Sequence, residues 1–123
     1  RQVQRHFRLP SDWTGAIDLV GKWRSADTSG SVVWQIQTAC VADAETSDPS
    51  WNTAQAITDA AKGTTLQQND FSQTSITTTG CAAGETFYYK VFRDSDHASD
   101  NLATATNGIA ELIQFTFTVR RAM

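Results

Sequence analysis

Histidine and cysteine are scarce in this chain, with two of each in 123 residues. Cys40 and Cys81 form no CxxC pair and have no histidine cluster around them, which argues against the common zinc layouts. They suit either one disulfide in an oxidising environment or two buried thiols acting as small hydrophobes. His6 falls in an alternating stretch and His97 in a polar one. Neither has a serine or cysteine nucleophile motif beside it. A Gly-x-Ser-x-Gly elbow, a glycine-rich phosphate loop and a metal-spaced histidine pair are all missing. A glycosidase needs two carboxylates converging on one bond, yet Asp43, Glu45 and Glu85 all stand in turn segments, where a solvated acid is ordinary. The expectation is a protein that is not an enzyme.

Long apolar runs are lacking too; none approaches the roughly 20 residues of a membrane-spanning helix. Positive charge is in deficit, with 10 Lys and Arg against 13 Asp and Glu, a net charge of −3 and a pI near 5.1. A nucleic-acid surface normally carries a basic field. Neither a nucleic acid nor a membrane is therefore expected as a partner. The length fits a single domain over residues 1–123. The first residue is Arg1, and an initiator methionine is removed only before a small residue, so the chain reads as a piece of a longer or processed one.

What is present is alternation. Val3, Arg5, Phe7 and Leu9 share one phase, and Ile17, Leu19, Gly21 and Trp23 another. Val32, Trp34, Ile36, Thr38 and Cys40 repeat the pattern, as do Phe87, Tyr89, Val91 and Arg93, and then Ile113, Phe115, Phe117 and Val119. These runs are rich in β-branched and aromatic residues and predict strands. Weaker strands are expected at Ala54–Ala60 and Gln73–Thr78, and short helical turns near Asp48–Trp51 and Asp100–Ala105. Turn residues cluster at Pro10–Gly15, Ala26–Gly30, Asp43–Ser50, Gly63–Asp70, Gly80–Gly84 and Asp94–Gly108. The fold class expected is all-β, a two-sheet antiparallel β-sandwich of about seven or eight strands. At FRLPSDWTG, Pro10 ends the first strand because it cannot donate a ladder hydrogen bond. Ser11 and Asp12 make the turn, and Trp13 is expected to cover the open end of the core.

Three features carry candidate chemistry. The loop RDSDHASDN offers hard oxygen ligands from Asp94, Asp96 and Asp100 that suit Ca²⁺, although it is not an EF-hand loop; the plainer reading is a solvated acidic turn with Arg93 bonded to an aspartate. Among the aromatics, Trp23 and Trp34 lie on inward phases and belong to the core. Trp51 in the polar run DPSWN is the more exposed one. Tyr88 and Tyr89 point to opposite faces, so Trp51 and Tyr88 are the candidate ligand-binding rings. The last strand has apolar residues on both phases over Ala110–Phe117, so both of its faces are expected to need cover. Phe115, Phe117 and Val119, with Arg5 on the first strand, are the candidate interface.

Read in order, FRLPSDWTGAIDLVGKW, SGSVVWQIQTACVAD and AGETFYYKVFRDSDHASDNLAT resemble a jelly-roll-like β-sandwich domain of tailed-bacteriophage virion proteins and related metagenomic sequences. The residues that carry this are Leu9, Pro10, Asp12, Trp13 and Gly15; Ser29, Gly30, Val32, Val33 and Trp34; Ala83 and Gly84; and Lys90, Val91, Arg93, Asp94, Asp100 and Leu102. Where such domains often end soon after the last strand begins, this chain runs on through a long apolar segment over Ile109–Val119. The resemblance implies a tail fibre tip, capsid fibre or decoration domain in a virion, often trimeric, contacting other virion proteins and a host surface. It brings no catalytic residues. The alternative on the tryptophans and the sandwich pattern alone is a secreted, extracellular carbohydrate-binding or lectin-like domain.

Overall fold

The computed structural model describes residues 2–43, 45, 49–102 and 110–121. Seven strands follow one another: β1 (Gln2–Arg8), β2 (Trp13–Arg24), β3 (Ser31–Val41), β4 (Gln55–Ala60), β5 (Asn69–Gln73), β6 (Thr86–Arg93) and β7 (Glu111–Arg121). They form two antiparallel sheets, one of four strands in the order β1-β6-β3-β4 and one of three in the order β5-β2-β7. Every connection except β3–β4 passes from one sheet to the other. The chain is thus an all-β two-sheet sandwich.

The inward phases meet as the alternation requires. Ile17, Leu19 and Trp23 of β2 face Val32, Trp34 and Ile36 of β3 and Phe87 and Val91 of β6, all buried. Trp23 and Trp34 meet edge to face at 6.4 Å, and Trp34 stacks on Phe71 at 6.0 Å. Two polar side chains on inward phases find partners across the core, whereas the buried Trp34 Nε1 has none among the described residues. Trp23 Nε1 donates to Asp59 Oδ2 of β4 at 2.7 Å, tying one sheet to the other. Thr38 Oγ1 donates to the Thr77 carbonyl at 2.6 Å.

At the first corner the Trp13 amide donates to the Pro10 carbonyl at 3.2 Å, closing the turn. The Trp13 indole packs on the core and donates from Nε1 to the Ala16 carbonyl at 3.0 Å. This corner carries the chain from one sheet to the other, and its tryptophan covers the core as its position suggested.

Cys40 and Cys81 form a disulfide with their Cα atoms 5.2 Å apart, joining the end of β3 to the turn before β6. Gly30 has φ +91° and lies so close to Asn101 that any side chain there would strike its backbone. Asn101 pairs with Ser31 in both directions, its amide donating to the Ser31 carbonyl at 2.9 Å and its Oδ1 accepting from the Ser31 amide at 2.8 Å. The polar loop after β6 therefore continues alongside β3 after the strand has ended.

Three expectations need correction. The weak strand expected over Gln73–Thr78 lies earlier, at Asn69–Gln73, where Phe71 pairs with Gly21 and fills the space its missing side chain leaves. Ser75, at φ +55°, breaks the extended run, and Ile76 reaches the core from a loop. No helix occurs among the described residues; of the two segments expected to turn helically, Asp48 and residues 103–105 lie outside them. Residues 103–109, which include part of the expected Asp94–Gly108 loop and the start of the Ile109–Val119 run, are outside them as well.

The third correction concerns β7. Its two apolar phases do not mean two covered faces. Pairing with β2 passes from Lys22↔Gln114 to Trp23↔Leu112, a one-residue slip that exchanges the phases within the strand. Beyond the slip, Gln114, Thr116, Thr118 and Arg120 point to solvent, while Phe115, Phe117 and Val119 point between the sheets.

Candidate functional site

The two outer faces of the sandwich differ sharply. On the three-stranded sheet the outward residues are mostly polar or charge-paired: Asp18 with Arg120 at 2.7 Å, Lys22 with Asp70 at 3.3 Å, and exposed Ser72, Gln114, Thr116 and Thr118, with exposed Val20 among them. That is the composition of a solvated sheet face. The outward phase of the four-stranded sheet instead carries His6 on β1 and Tyr88, Lys90 and Phe92 on β6, with Gln35, Gln37 and Ala39 on β3. His6 and Tyr88 lie directly across from one another, their rings 5.1 Å apart.

Trp51 joins this face from the segment before β4. Asn52 anchors that segment beside β3. Its amide donates to the Thr38 carbonyl at 2.8 Å, and its carbonyl accepts from Gln37 Nε2 at 3.2 Å. The Trp51 ring reaches back across β3, so that Lys90 Nζ sits 4.1 Å from the ring centroid. Ala39, on the same outward phase, is only 2% exposed. A methyl group on an outer face is buried to that extent only when larger side chains lie over it, and Tyr88 is its direct cross-strand neighbour. The two candidate rings, Trp51 and Tyr88, thus lie on the same outer face, Trp51 against Lys90 and Tyr88 two residues before it on β6.

A second feature lies between the sheets. On one side β4 and β5 come together; among the described residues β1 and β7 make no such approach on the other. Aromatic side chains occupy that gap. Tyr89 lies 4.4 Å from Phe117 and 5.6 Å from Phe115 between ring centroids, and Phe7 lies 6.0 Å from Phe117. Phe7, Tyr89, Phe115, Phe117 and Val119 are only partly buried. Burial raises the Tyr89 phenol above its ordinary value, with the Arg5 charge opposing. Arg5 pairs with Tyr89 across the strands, so all four residues expected at an interface, Phe115, Phe117, Val119 and Arg5, line this one cleft.

The acidic loop is organised differently. Asp100, with a side chain 2% exposed, accepts two hydrogen bonds from Arg93, at 2.9 and 2.6 Å, and one from the Val33 amide at 3.0 Å. Burial pushes its carboxyl up, but these bonds and the Arg93 charge outweigh burial and hold it below the ordinary carboxylate value. Asp94 accepts from Gln35 Nε2 at 3.2 Å, and Asp96 is exposed. Among the described residues no three carboxylate, histidine or cysteine side chains gather as a metal would need, so Asp94, Asp96 and Asp100 are not brought together. Glu45 and Glu85 each accept a backbone hydrogen bond within their own turns, from Ala42 at 2.6 Å and Ala82 at 2.8 Å.

His6, Lys90, Phe92 and Gln37 also lie on this face, and none of them is a ligand-binding candidate from sequence alone. The signal was present, since Tyr88, Lys90 and Phe92 share the phase of β6 opposite to Phe87, Tyr89 and Val91. Phe7 and Tyr89 were likewise missed as walls of the cleft.

No family model, curated protein or solved structure matches this chain.

Proposed function

We infer that the chain is a non-enzymatic structural module of a phage-like virion, of the tail fibre tip, capsid fibre or decoration type, which self-associates and presents one sheet face to its surroundings. The observation that carries this reading is the open β1/β7 side, where Phe7, Tyr89, Phe115 and Phe117 stay partly exposed between two strand edges that pair with nothing among the described residues. Aromatic residues are enriched in subunit interfaces, and free edges invite pairing between copies. The virion context rests on the motif resemblance. A homo-oligomer, with a trimer favoured, follows from it, as do contacts with other virion proteins.

The test is a pair of variants on the cleft. Phe117→Ser and Phe115→Ser are expected to convert an oligomer to folded monomers in sedimentation velocity. Oligomers that survive both substitutions would place the interface elsewhere and overturn this use of the cleft.

A second reading, a secreted carbohydrate-binding module, is favoured by the Trp51–Tyr88 platform. Partly exposed rings flanked by amides suit a sugar, which presents an apolar face and a rim of hydroxyls. The two readings are compatible, because a fibre domain can also hold a host-surface glycan.

A further inference from the structure

We propose that the outer face of the four-stranded sheet binds a glycan carrying a carboxylate, and that Lys90 selects for that charge. The proposal rests on the glycan-binding reading above and names the substrate class of its platform.

Charge distribution is the first support. The chain is acidic, at −3. Yet among the described side chains, the outward strand positions of this sheet include Arg8, His6 and Lys90 and no carboxylate. The nearby acids stand beyond the strand ends. Glu45 and Glu85 hold their own turns, and Asp94 holds Gln35. A neutral or basic face on an acidic protein complements an anionic ligand.

The second support is where Lys90 sits. A sugar stacks its apolar face on an indole, but the Trp51 ring already has the Lys90 ammonium over it at 4.1 Å. The ring quadrupole attracts that cation. A neutral sugar that displaces it offers the ammonium only hydroxyl oxygens in exchange. A carboxylate on the ligand draws the ammonium aside into a charge-assisted hydrogen bond and uncovers the ring in the same movement. Lys90 then favours an anionic ligand over a neutral one at this ring. Tyr88 supplies a second ring one row along the sheet, and the Gln4 side chain, directly across from Lys90, supplies an amide for the hydroxyls.

The test titrates the folded domain with sialyllactose against lactose, and with trigalacturonate against the neutral galactose trisaccharide, at low and at high salt. At low salt one acidic probe is expected to bind about 10-fold more tightly than its neutral counterpart. That margin should shrink at high salt. Which acidic probe binds distinguishes a sialic from a uronic acid source. Lys90→Gln should remove the margin by weakening the acidic probe without weakening the neutral one. Trp51→Ala should abolish binding of both. Should Trp51→Ala lose its cooperative melt, Tyr88→Ala gives an independent reading and should weaken both probes. Equal binding of acidic and neutral probes, lost on Trp51→Ala, would overturn charge selection and leave the glycan reading standing. Failure of the folded domain to bind any of the four probes would overturn both.

Discussion

The Lys90 ammonium lies 4.1 Å from the centre of the Trp51 ring, on the one sheet face of the sandwich where aromatic side chains point outward. The opposite outer face, built on β5, β2 and β7, has Asp18–Arg120 and Lys22–Asp70 pairs. Physical forces that act alike on both faces do not produce this difference. The proposed function accounts for it by keeping one face for contact while the other is solvated.

The Lys90–Trp51 contact contributes little to folding. Cation–π pairs at exposed sites are worth about 0.5–1 kcal/mol. Lys90→Gln should therefore lower the unfolding free energy from urea titration by no more than that amount while making Trp51 more accessible to acrylamide quenching. A large loss of stability would show that Lys90 is structural rather than poised.

Gly21 is required by Phe71. The two pair across β2 and β5, and a methyl group on Gly21 would collide with the Phe71 ring. Phe71 is buried and also stacks on Trp34, which limits how far the ring can retreat. Gly21→Ala should cost about 2–3 kcal/mol, as overpacking does in a well-filled core. Gly21→Ala combined with Phe71→Leu should recover part of that loss in the same denaturation experiment.

The Cys40–Cys81 bridge closes a chain segment of 41 residues. In the chain-entropy view, a loop of that size gives about 4 kcal/mol. The Cys40→Ala, Cys81→Ala double variant should lose stability of that order, and reductant should lower the melting temperature of the native chain but not of the variant.

Asp100 sets part of the acid limit. Its carboxyl is held below the ordinary value of 3.8 despite burial, so it binds its proton less readily folded than unfolded. A group of this kind stabilises the fold above the unfolded pKa, and the contribution is lost as pH falls through the lowered folded value. Stability should decline below about pH 4. Asp12, hydrogen-bonded by Arg121, and Asp18, hydrogen-bonded by Arg120, are lowered too and act in the same direction from exposed positions. Asp100→Asn should cost about 2 kcal/mol at neutral pH through the lost charge-assisted bonds and flatten the acid limb. An acid limb as steep as the native one would assign the effect to other carboxylates.

Much of the fold was legible because a half-buried strand carries its burial in alternate residues. The inward phases of β2, β3 and β6 needed no partner to be recognised. Strand order was not legible, since nothing local in β1 records that it pairs with β6 rather than β2. The last strand misled for a specific reason: a one-residue slip near Leu112 moves apolar residues to the other phase, and one-dimensional alternation reads that as two apolar faces. Asn69–Gln73 was hidden because its one large residue, Phe71, takes its meaning from Gly21 on another strand. At the platform, Tyr88 could be assigned an outward phase from β6 alone. Trp51 lies outside any strand, and its approach to Lys90 depends on Asn52 being pinned to Thr38. Asp100 looked like a ligand because sequence shows its neighbours in the loop and not the Val33 amide that meets it across the fold.

Solution mass, by light scattering on a sizing column over a wide range of concentration, tests self-association most directly. A discrete oligomer of fixed subunit number, a trimer above all, is the expected result. A chain that remains monomeric at the highest concentration would contradict self-association through the β1/β7 cleft and leave glycan binding as the role of the domain.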